Sequence, residues 1–348
     1  MKILHTADIH LGVKNGRLSS EKQAQMRSES ILQVQDLFAV AKQNNFDVVL
    51  ICGDLFHAQT VTNKLKLSFF EAVKDFGRPV IYINGNHDEF IMQNDSTPSN
   101  FVVLNKENFM YEVGDVVFWS NTNLENLQAN FSAKKKNVLL LHGNIENATD
   151  NDYINVEKFK NFNFDYVALG HTHVYKVFEV AKTPYVYCGS FFSNGFDECG
   201  NKGYVEISLD KKLEYKFVPF AKRRYMICEC DISDSKGYYS ILNKIRQILL
   251  NSDVKNDDLV RIVLTGEYEE GLDKNIDVIA QSFNHLFYFE IVDKSRIKID
   301  VEKLKNEVFS FKAEFINLVE NSQMEEDEKN LICRLGLEAL NGEDLSIW

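Results

Sequence analysis

The chain has 348 residues, 45% of them hydrophobic, and a formal net charge of −12 from 39 Lys and Arg against 51 Asp and Glu. That length exceeds what one hydrophobic core usually serves, so two domains, or one large domain with appendages, are expected; no run of 18 apolar residues speaks for a membrane-spanning helix. The acidic total works against a nucleic-acid ligand without excluding one, because affinity for phosphates comes largely from Lys and Arg.

Six cysteines without a C-x-x-C pair (Cys52, Cys188, Cys199, Cys228, Cys230, Cys333) suit a reducing compartment. The first ten residues leave no room for the apolar core of a signal peptide. A soluble cytoplasmic protein is the expectation.

Taken in chain order, β-branched and aliphatic runs predict strands at Lys2 to Thr6, Val48 to Cys52, Val80 to Ile83, Val138 to Leu141, Tyr166 to Leu169, Tyr185 to Tyr187 and Tyr204 to Leu209. Between the early strands, Ile31, Val34, Leu37, Phe38 and Ala41 at helical spacing predict a helix over Ser20 to Gln43, and a second is expected over Asn63 to Phe76. The first part of the chain is therefore α/β. Near Lys222 the pattern changes to strand 225–232, helix 236–250, strand 259–266, helix 275–285 and strand 286–293, a small separate α+β unit.

From about residue 301 the chain reads as a helical, acidic tail. Leu304, Val308, Phe311, Phe315 and Leu318 alternate spacings of four and three, which lines one helical face with apolar groups. A second short helix, Glu328 to Leu340, adds Leu331, Ile332, Leu335 and Leu340. Such stripes serve either the chain's own core or a partner. Two basic runs, Lys134 to Lys136 and Lys222 to Arg224, read first as solvated surface.

The polar residues fall where the strands end. Asp8 and His10 follow the first, Gly53-Asp54 the second, Gly85-Asn86-His87-Asp88 the third, His142 the fourth and Gly170-His171-Thr172-His173 the fifth. That edge is where α/β sheets build their sites. Five of the eight histidines belong to this set. Asp, Asn and imidazole without thiolate suit Mn, Fe or Zn and exclude an all-oxygen calcium cage. His5, within the first strand, and His285, near a helix end, read as structural.

The ordered series D-x-H, G-D, G-N-H-D, H and G-H-x-H resembles the calcineurin-like metallophosphoesterases over roughly residues 1–220. The resemblance implies a two-sheet β-sandwich flanked by helices. It also implies two divalent metal ions, one held by Asp8, His10, Asp54 and His173, the other by Asp54, Asn86, His142 and His171. Asp54 would bridge them. His87 is then the histidine beside the scissile phosphate, protonated to help the leaving oxygen, with Asp88 placed to orient it. Two such ions supply a hydroxide nucleophile from water at neutral pH and bind the phosphate oxygens.

Flanking residues narrow the likeness. His5-Thr6-Ala7-Asp8-Ile9-His10-Leu11-Gly12 and Gly53-Asp54-Leu55-Phe56-His57 resemble the first two motifs of SbcD-type DNA repair nucleases, and Tyr187-Cys188-Gly189-Ser190, Phe196-Asp197-Glu198 and Lys202-Gly203-Tyr204 resemble the block that closes their nuclease domain. The resemblance implies a nuclease domain at 1–221, a DNA-capping domain at 222–300 and a helical tail at 301–348 that binds a partner ATPase. It further implies a metal-dependent DNA exonuclease or endonuclease that uses Mn2+, forms a homodimer and works in repair and recombination with an SbcC-like coiled-coil ATPase. The chain lacks a G-x-x-x-x-G-K-[ST] sequence of its own, so ATP control would come from that partner. His57 is either a residue that shapes how the substrate strand is presented or a neighbour of the site. The alternative substrate class is a small-molecule phosphodiester or phosphomonoester on the same centre; a non-catalytic interaction module is a third option, against which all seven metal positions stand.

Overall fold

Short apolar runs that are buried on both faces make strands, and this chain has many. The computed structural model describes residues 1–13, 16, 18–57, 60–88, 97–120, 124–269, 271–298, 304 and 310–340. Two units are present: Met1–Ile227 with Lys255–Val260 and Leu286–Tyr288, and a second containing Cys228–Val254, Arg261–His285 and the described residues from Phe289 onward.

Among the described residues the two sheets of the first unit comprise β1 (Lys2–Thr6), β2 (Val48–Cys52), β3 (Val80–Ile83), β4 (Phe101–Leu104), β5 (Met110–Val113), β6 (Val116–Trp119), β7 (Lys136–His142), β8 (Tyr166–Gly170), β9 (Lys176–Val180), β10 (Thr183–Tyr187), β11 (Gly203–Leu209) and β12 (Leu213–Pro219). They form two six-stranded sheets, β12-β11-β1-β2-β3-β4 and β5-β6-β7-β8-β10-β9. Strands β1 to β4 are parallel to one another and β11 antiparallel to β1, so the first sheet is mixed. In the second, β6, β7, β8 and β10 are parallel, with β5 and β9 antiparallel at the two edges.

Three apolar layers hold this unit together. Ile3, Leu50, Ile81 and Val102 of the first sheet meet Phe118, Val138, Leu140, Ala168 and Val186 of the second in a face-to-face core. Val49, Ile51 and Tyr82, on the opposite face of the first sheet, pack on helices α1 (Ser20–Gln43) and α2 (Asn63–Phe76) through Val34, Leu37, Phe38, Phe69 and Val73. Trp119, Leu139, Leu141, Val167 and Tyr185 pack outward on Leu127 of α3 (Leu124–Asn130), Phe159 and Phe164. Strand β2, Val-Val-Leu-Ile-Cys, is buried along its whole length, which explains its unbroken apolar run. Helix α1 starts at Ser19, whose hydroxyl accepts from Lys22 N at 3.4 Å. Helix α2 stops at Gly77, φ 70°, the left-handed stop that glycine adopts without strain. The two-sheet α/β architecture is the one expected; β4, β5, β6, β9 and β12 were not anticipated.

The second unit holds most of a three-stranded sheet, β13-β14-β16, of Tyr225–Asp231, Leu259–Thr265 and Tyr288–Asp293, and a parallel pair of β15 (Glu267–Tyr268) and β17 (Arg296–Ile297). Helix α4 (Tyr238–Asn251) buries Ile241, Leu242, Ile245 and Leu249 at helical spacing. Helix α5 covers only Ile276–Gln281, shorter than expected. In the tail, α6 (Phe311–Glu320) packs on α7 (Glu326–Leu340). Their contact overturns the single apolar stripe anticipated there: Ala313, Ile316 and Val319 are the buried residues of α6, whereas Phe311 and Leu318 are 83% and 74% exposed. Phe315 lies against Gly336, where a Cβ would come within 2.1 Å of its ring. Leu304 is half-buried, and Val308 lies outside the described residues. Among the described residues no helix is long and apolar enough to cross a membrane.

Candidate metal centre

Because β1, β2 and β3 run parallel, Thr6, Cys52 and Ile83 end on one edge of the first sheet. The parallel pair β7 and β8 sets His142 opposite Gly170 in the second sheet. Asp8, His10, Asp54, Asn86, His142, His171 and His173 leave those ends. Four of them hold left-handed backbone angles: Asp8 (φ 49°), His10 (φ 48°), Asp54 (φ 51°) and His171 (φ 93°). Each such residue costs on the order of 1–3 kcal/mol, and such conformations persist where the surroundings over-determine them. Here Asp8 N donates to Gly53 O at 3.1 Å, His10 N to Asp54 O at 2.9 Å, and His171 N to both carboxylate oxygens of Asp8 at 3.0 Å.

Three glycines make room for the cluster: a Cβ on Gly53 would stand 2.1 Å from His142 Nδ1. A Cβ on Gly85 would stand 2.1 Å from Asp54 Oδ1, and one on Gly170 would stand 1.8 Å from Cys52 O. Asp8, His10 and His173 each offer a ligand atom within 4.8 Å of the others, as do Asp8, Asp54 and His142. The two groups share Asp8. His10 Nε2 lies 3.7 Å and His142 Nε2 3.5 Å from Asp54 Oδ2, and Asn86 Oδ1 lies 2.9 Å from His142 Nε2. His10 Nε2 and His173 Nε2 are 3.3 Å apart. A carbonyl can only accept, so His142 Nδ1 donates to Cys52 O at 2.8 Å and its Nε2 is turned toward Asp54 and Asn86. His142 and His171 stand edge to face, ring centroids 5.4 Å apart.

Asp8 and Asp54 are 0% and 1% exposed. Burial drives the Asp8 carboxyl up to about 7, more than the charges of His142 and His173 lower it. Burial also opposes ionisation of Asp54, but the hydrogen bond and charge of His142, the His87 N–H and His10 win and hold it at about 2. His142 is raised to about 9 against burial by Asp54 and Asp8. Burial lowers His10 to about 4. Ionised Asp54 and the raised His142 thus offset one another at the buried floor of the site, while Asn86, His171 and His173 stay partly open to solvent. A divalent cation fits the same donors: carboxylate oxygens, imidazole nitrogens and an amide oxygen, converging without thiolate.

The residues expected beside the substrate are arranged differently from one another. Asn86 and His87 are exposed, and the His87 ring lies 5.4 Å from His10 and stacks near His57 at 6.3 Å. Its backbone N–H donates to Asp54 Oδ1 at 2.9 Å. Asp88, expected to orient the His87 imidazole, instead accepts from Phe56 N at 2.9 Å with Oδ1, and from Gly85 N at 2.9 Å and the Tyr82 hydroxyl at 2.6 Å with Oδ2. Its oxygens are spent on the loop backbone, so it fixes the 85–88 turn. His5 is buried in the first unit beside the Tyr166 hydroxyl at 3.0 Å, and burial lowers it to about 3, in keeping with a structural residue.

Sequence reading gave no role to four participants. Tyr82 anchors Asp88. Asp150 and Asp152 form a third group with His171, half-buried. Glu198 accepts from His173 Nδ1 at 2.6 Å. The basic run Lys222-Arg223-Arg224 is also occupied: Lys222 and Arg223 pair with Glu29, and Arg224 with Asp258, so its contribution is structural.

Among known proteins, the chain is 25% identical to the DNA double-strand break repair protein Mre11 of Aeropyrum pernix, over 75% of this chain and 71% of the relative. It is 22% identical to the uncharacterized metallophosphoesterase YhaO of Bacillus subtilis, over 78% of this chain and 73% of the relative. A dimetal phosphatase from Danio rerio aligns in structure with 8% identity and a TM-score of 0.45, over 64% of this chain and 99% of that one. The family description calcineurin-like phosphoesterase matches residues 1–175. A match over half the chain, on the two-sheet fold described above, makes this protein a member of the calcineurin-like phosphoesterase family, hydrolases that use divalent metal ions.

Proposed function

We propose that the protein is a metal-dependent DNA nuclease of the SbcD type, acting in repair and recombination as the partner of an SbcC-like coiled-coil ATPase. The observation that carries this reading is the likeness to the Aeropyrum pernix double-strand break repair protein over 75% of the chain, a larger share than the 1–175 match to the family as a whole.

In this reading Asp8, His10, Asp54 and His173 hold one Mn2+, and Asp54, Asn86, His142 and His171 the other. When bound, the two ions supply a nucleophile from water and neutralise the phosphate oxygens. Asp54, shared by both sets and hydrogen-bonded to His142 and the His87 backbone, fixes their common side. The exposed His87 is free to approach a phosphodiester and to give its proton to the oxygen that departs as the P–O bond breaks. His57, stacked near it, is placed to act on the same strand. Residues 222–300 would cap the DNA, and the tail would grip the ATPase.

The test is cleavage of end-labelled linear duplex DNA beside a chromogenic phosphodiester, each with Mn2+, Mg2+ or chelator. Mn2+-dependent shortening of the duplex, abolished by chelator, is the expected result. Turnover of the small diester with the DNA left intact would assign a small-molecule phosphodiesterase instead.

A further inference from the structure

The segment from Gly189 to Lys202 supplies none of the seven expected ligands, yet it closes around one of them. His173 Nδ1 is 2.6 Å from Glu198 Oε1. An ionised carboxylate only accepts, so this contact places an imidazole proton on Nδ1 and, in the neutral ring, leaves Nε2 as the acceptor nitrogen, 3.3 Å from His10 Nε2. The other oxygen, Oε2, is held by Asn194 N at 3.0 Å and the Ser190 hydroxyl at 3.4 Å. Glu198 is 9% exposed, and its own carbonyl accepts from Ser193 Oγ at 2.8 Å. The ligand's backbone is gripped as well. Lys202, 4% exposed, donates from Nζ to His173 O at 2.5 Å, and Ser190 N donates to the same oxygen at 3.3 Å.

We infer that Glu198 is the positioning residue of His173, fixing its tautomer and ring direction, with Lys202 and Ser190 clamping its backbone, so that binding of one of the two ions depends on a carboxylate outside the ligand set. The inference rests on the two-metal reading of the site. Its physical basis is general: a ligating imidazole whose second nitrogen donates to a carboxylate is both oriented and made a better donor, and loss of such a partner weakens metal binding about 10- to 100-fold. The contact reaches across 25 residues and belongs to the Phe196-Asp197-Glu198 motif, which the metal set leaves without a role.

Mn2+ binding to the 348-residue chain, followed by calorimetric titration, separates this role from a merely structural one. In Glu198→Gln and Glu198→Ala one ion should weaken about 10- to 100-fold while the other keeps its affinity, and Glu198→Gln, which keeps an acceptor oxygen for Asn194 N, should melt near the wild type when metal-free. In a His173→Asn background, adding Glu198→Gln should weaken the ion no further, because the two residues act as one unit. Imidazole nitrogen NMR of the metal-free protein should find the proton of His173 on Nδ1 in the wild type and lose that preference in Glu198→Ala. Unchanged affinity for both ions in a folded Glu198→Ala, or equal weakening of both, overturns the positioning role. A wild type that binds no Mn2+ at all overturns the two-metal reading and the inference with it.

Discussion

Asp54 and His87 stand within one backbone hydrogen bond of each other, yet they predict opposite phenotypes. Asp54 is buried, and its oxygens face His10, His142 and the His87 N–H. Its loss removes the carboxylate shared by both proposed ligand sets. His87 is exposed and contributes its ring to no group of converging ligand atoms among the described residues. Asp54→Ala should therefore lose both bound metal and DNA cleavage. His87→Gln should keep its metal and its DNA affinity while turnover falls roughly 10²- to 10⁴-fold, the range of a positioned acid. Metal content measured by emission spectrometry beside single-turnover kinetics checks the pair; a fall in metal in His87→Gln would make His87 a ligand. At this scale the sequence was informative because Asp, Asn and His each follow a strand end within a few residues. The roles of Glu198, quoted above only within a closing motif, and of Tyr82 were hidden for the opposite reason. A carboxylate in a loop has no periodicity, and its partner is chosen by the tertiary fold.

Helices α1 and α2 and strands β1, β2 and β3 were legible to the residue, since each is a long amphipathic or fully buried run with a clear cap or turn at its end. Edge strands β5 and β9 were not, with Glu112 of the one and Lys176, Val177 and Glu179 of the other exposed; nor were β4 and β6, although Phe101–Leu104 and Val116–Trp119 are buried throughout, so burial alone did not make a short strand legible. The role of the basic run after β12 was equally illegible, because its partners come from distant elements. Arg223 is 7% exposed, donates to Glu29 on α1 through Nε at 2.9 Å and through Nη2 at 2.8 Å, reaches Asp257 at 3.0 Å, and stacks over Phe287 at 3.5 Å. Partial burial opposes ionisation of Glu29, but hydrogen bonds from Arg223, Lys222 and Gln25 outweigh it and bring the carboxyl to about 2 from its ordinary 4.5. A folded-state value below the unfolded one means that the ionised pair stabilises fully above about pH 4.5 and that its contribution is lost as pH falls toward 2. Glu29→Gln should accordingly lower stability in urea melts by about 1–2 kcal/mol at neutral pH, the order of a hydrogen bond to a charged group. The gap to the wild type should stay level down to about pH 5 and narrow below it; a gap that widens on acidification would contradict the assignment.

At the scale of the whole molecule the chain does not divide at a single point. Segments Lys255–Val260 and Leu286–Tyr288 belong to the first unit, where buried Leu259 joins Leu18, Phe196 and Tyr225. A deletion of 222–300 would therefore strip apolar contacts from the unit that carries the metal centre, and the proposed cap is better probed by point substitutions. The tail permits such a test directly, because its two helices sort the apolar residues that the sequence could only group together. Phe315 is packed against Gly336 of α7, whereas Phe311 and Leu318 on the same helix are 83% and 74% exposed and Leu331 and Leu340 on α7 are about half exposed, at 46% and 47%. Large apolar groups left uncovered on neighbouring helices are the kind of anchor that a partner's helices can cover. If the proposed ATPase docks there, Phe311→Glu with Leu318→Glu should abolish co-purification with it, shift stability by no more than about 0.5 kcal/mol as surface changes do, and leave Mn2+-dependent nuclease activity of the isolated chain intact. Phe315→Glu, at a half-buried side chain, should instead cost about 1–3 kcal/mol by breaking the contact between the two helices. Retention of the ATPase by the Phe311 and Leu318 double variant would remove the tail from the partner interface.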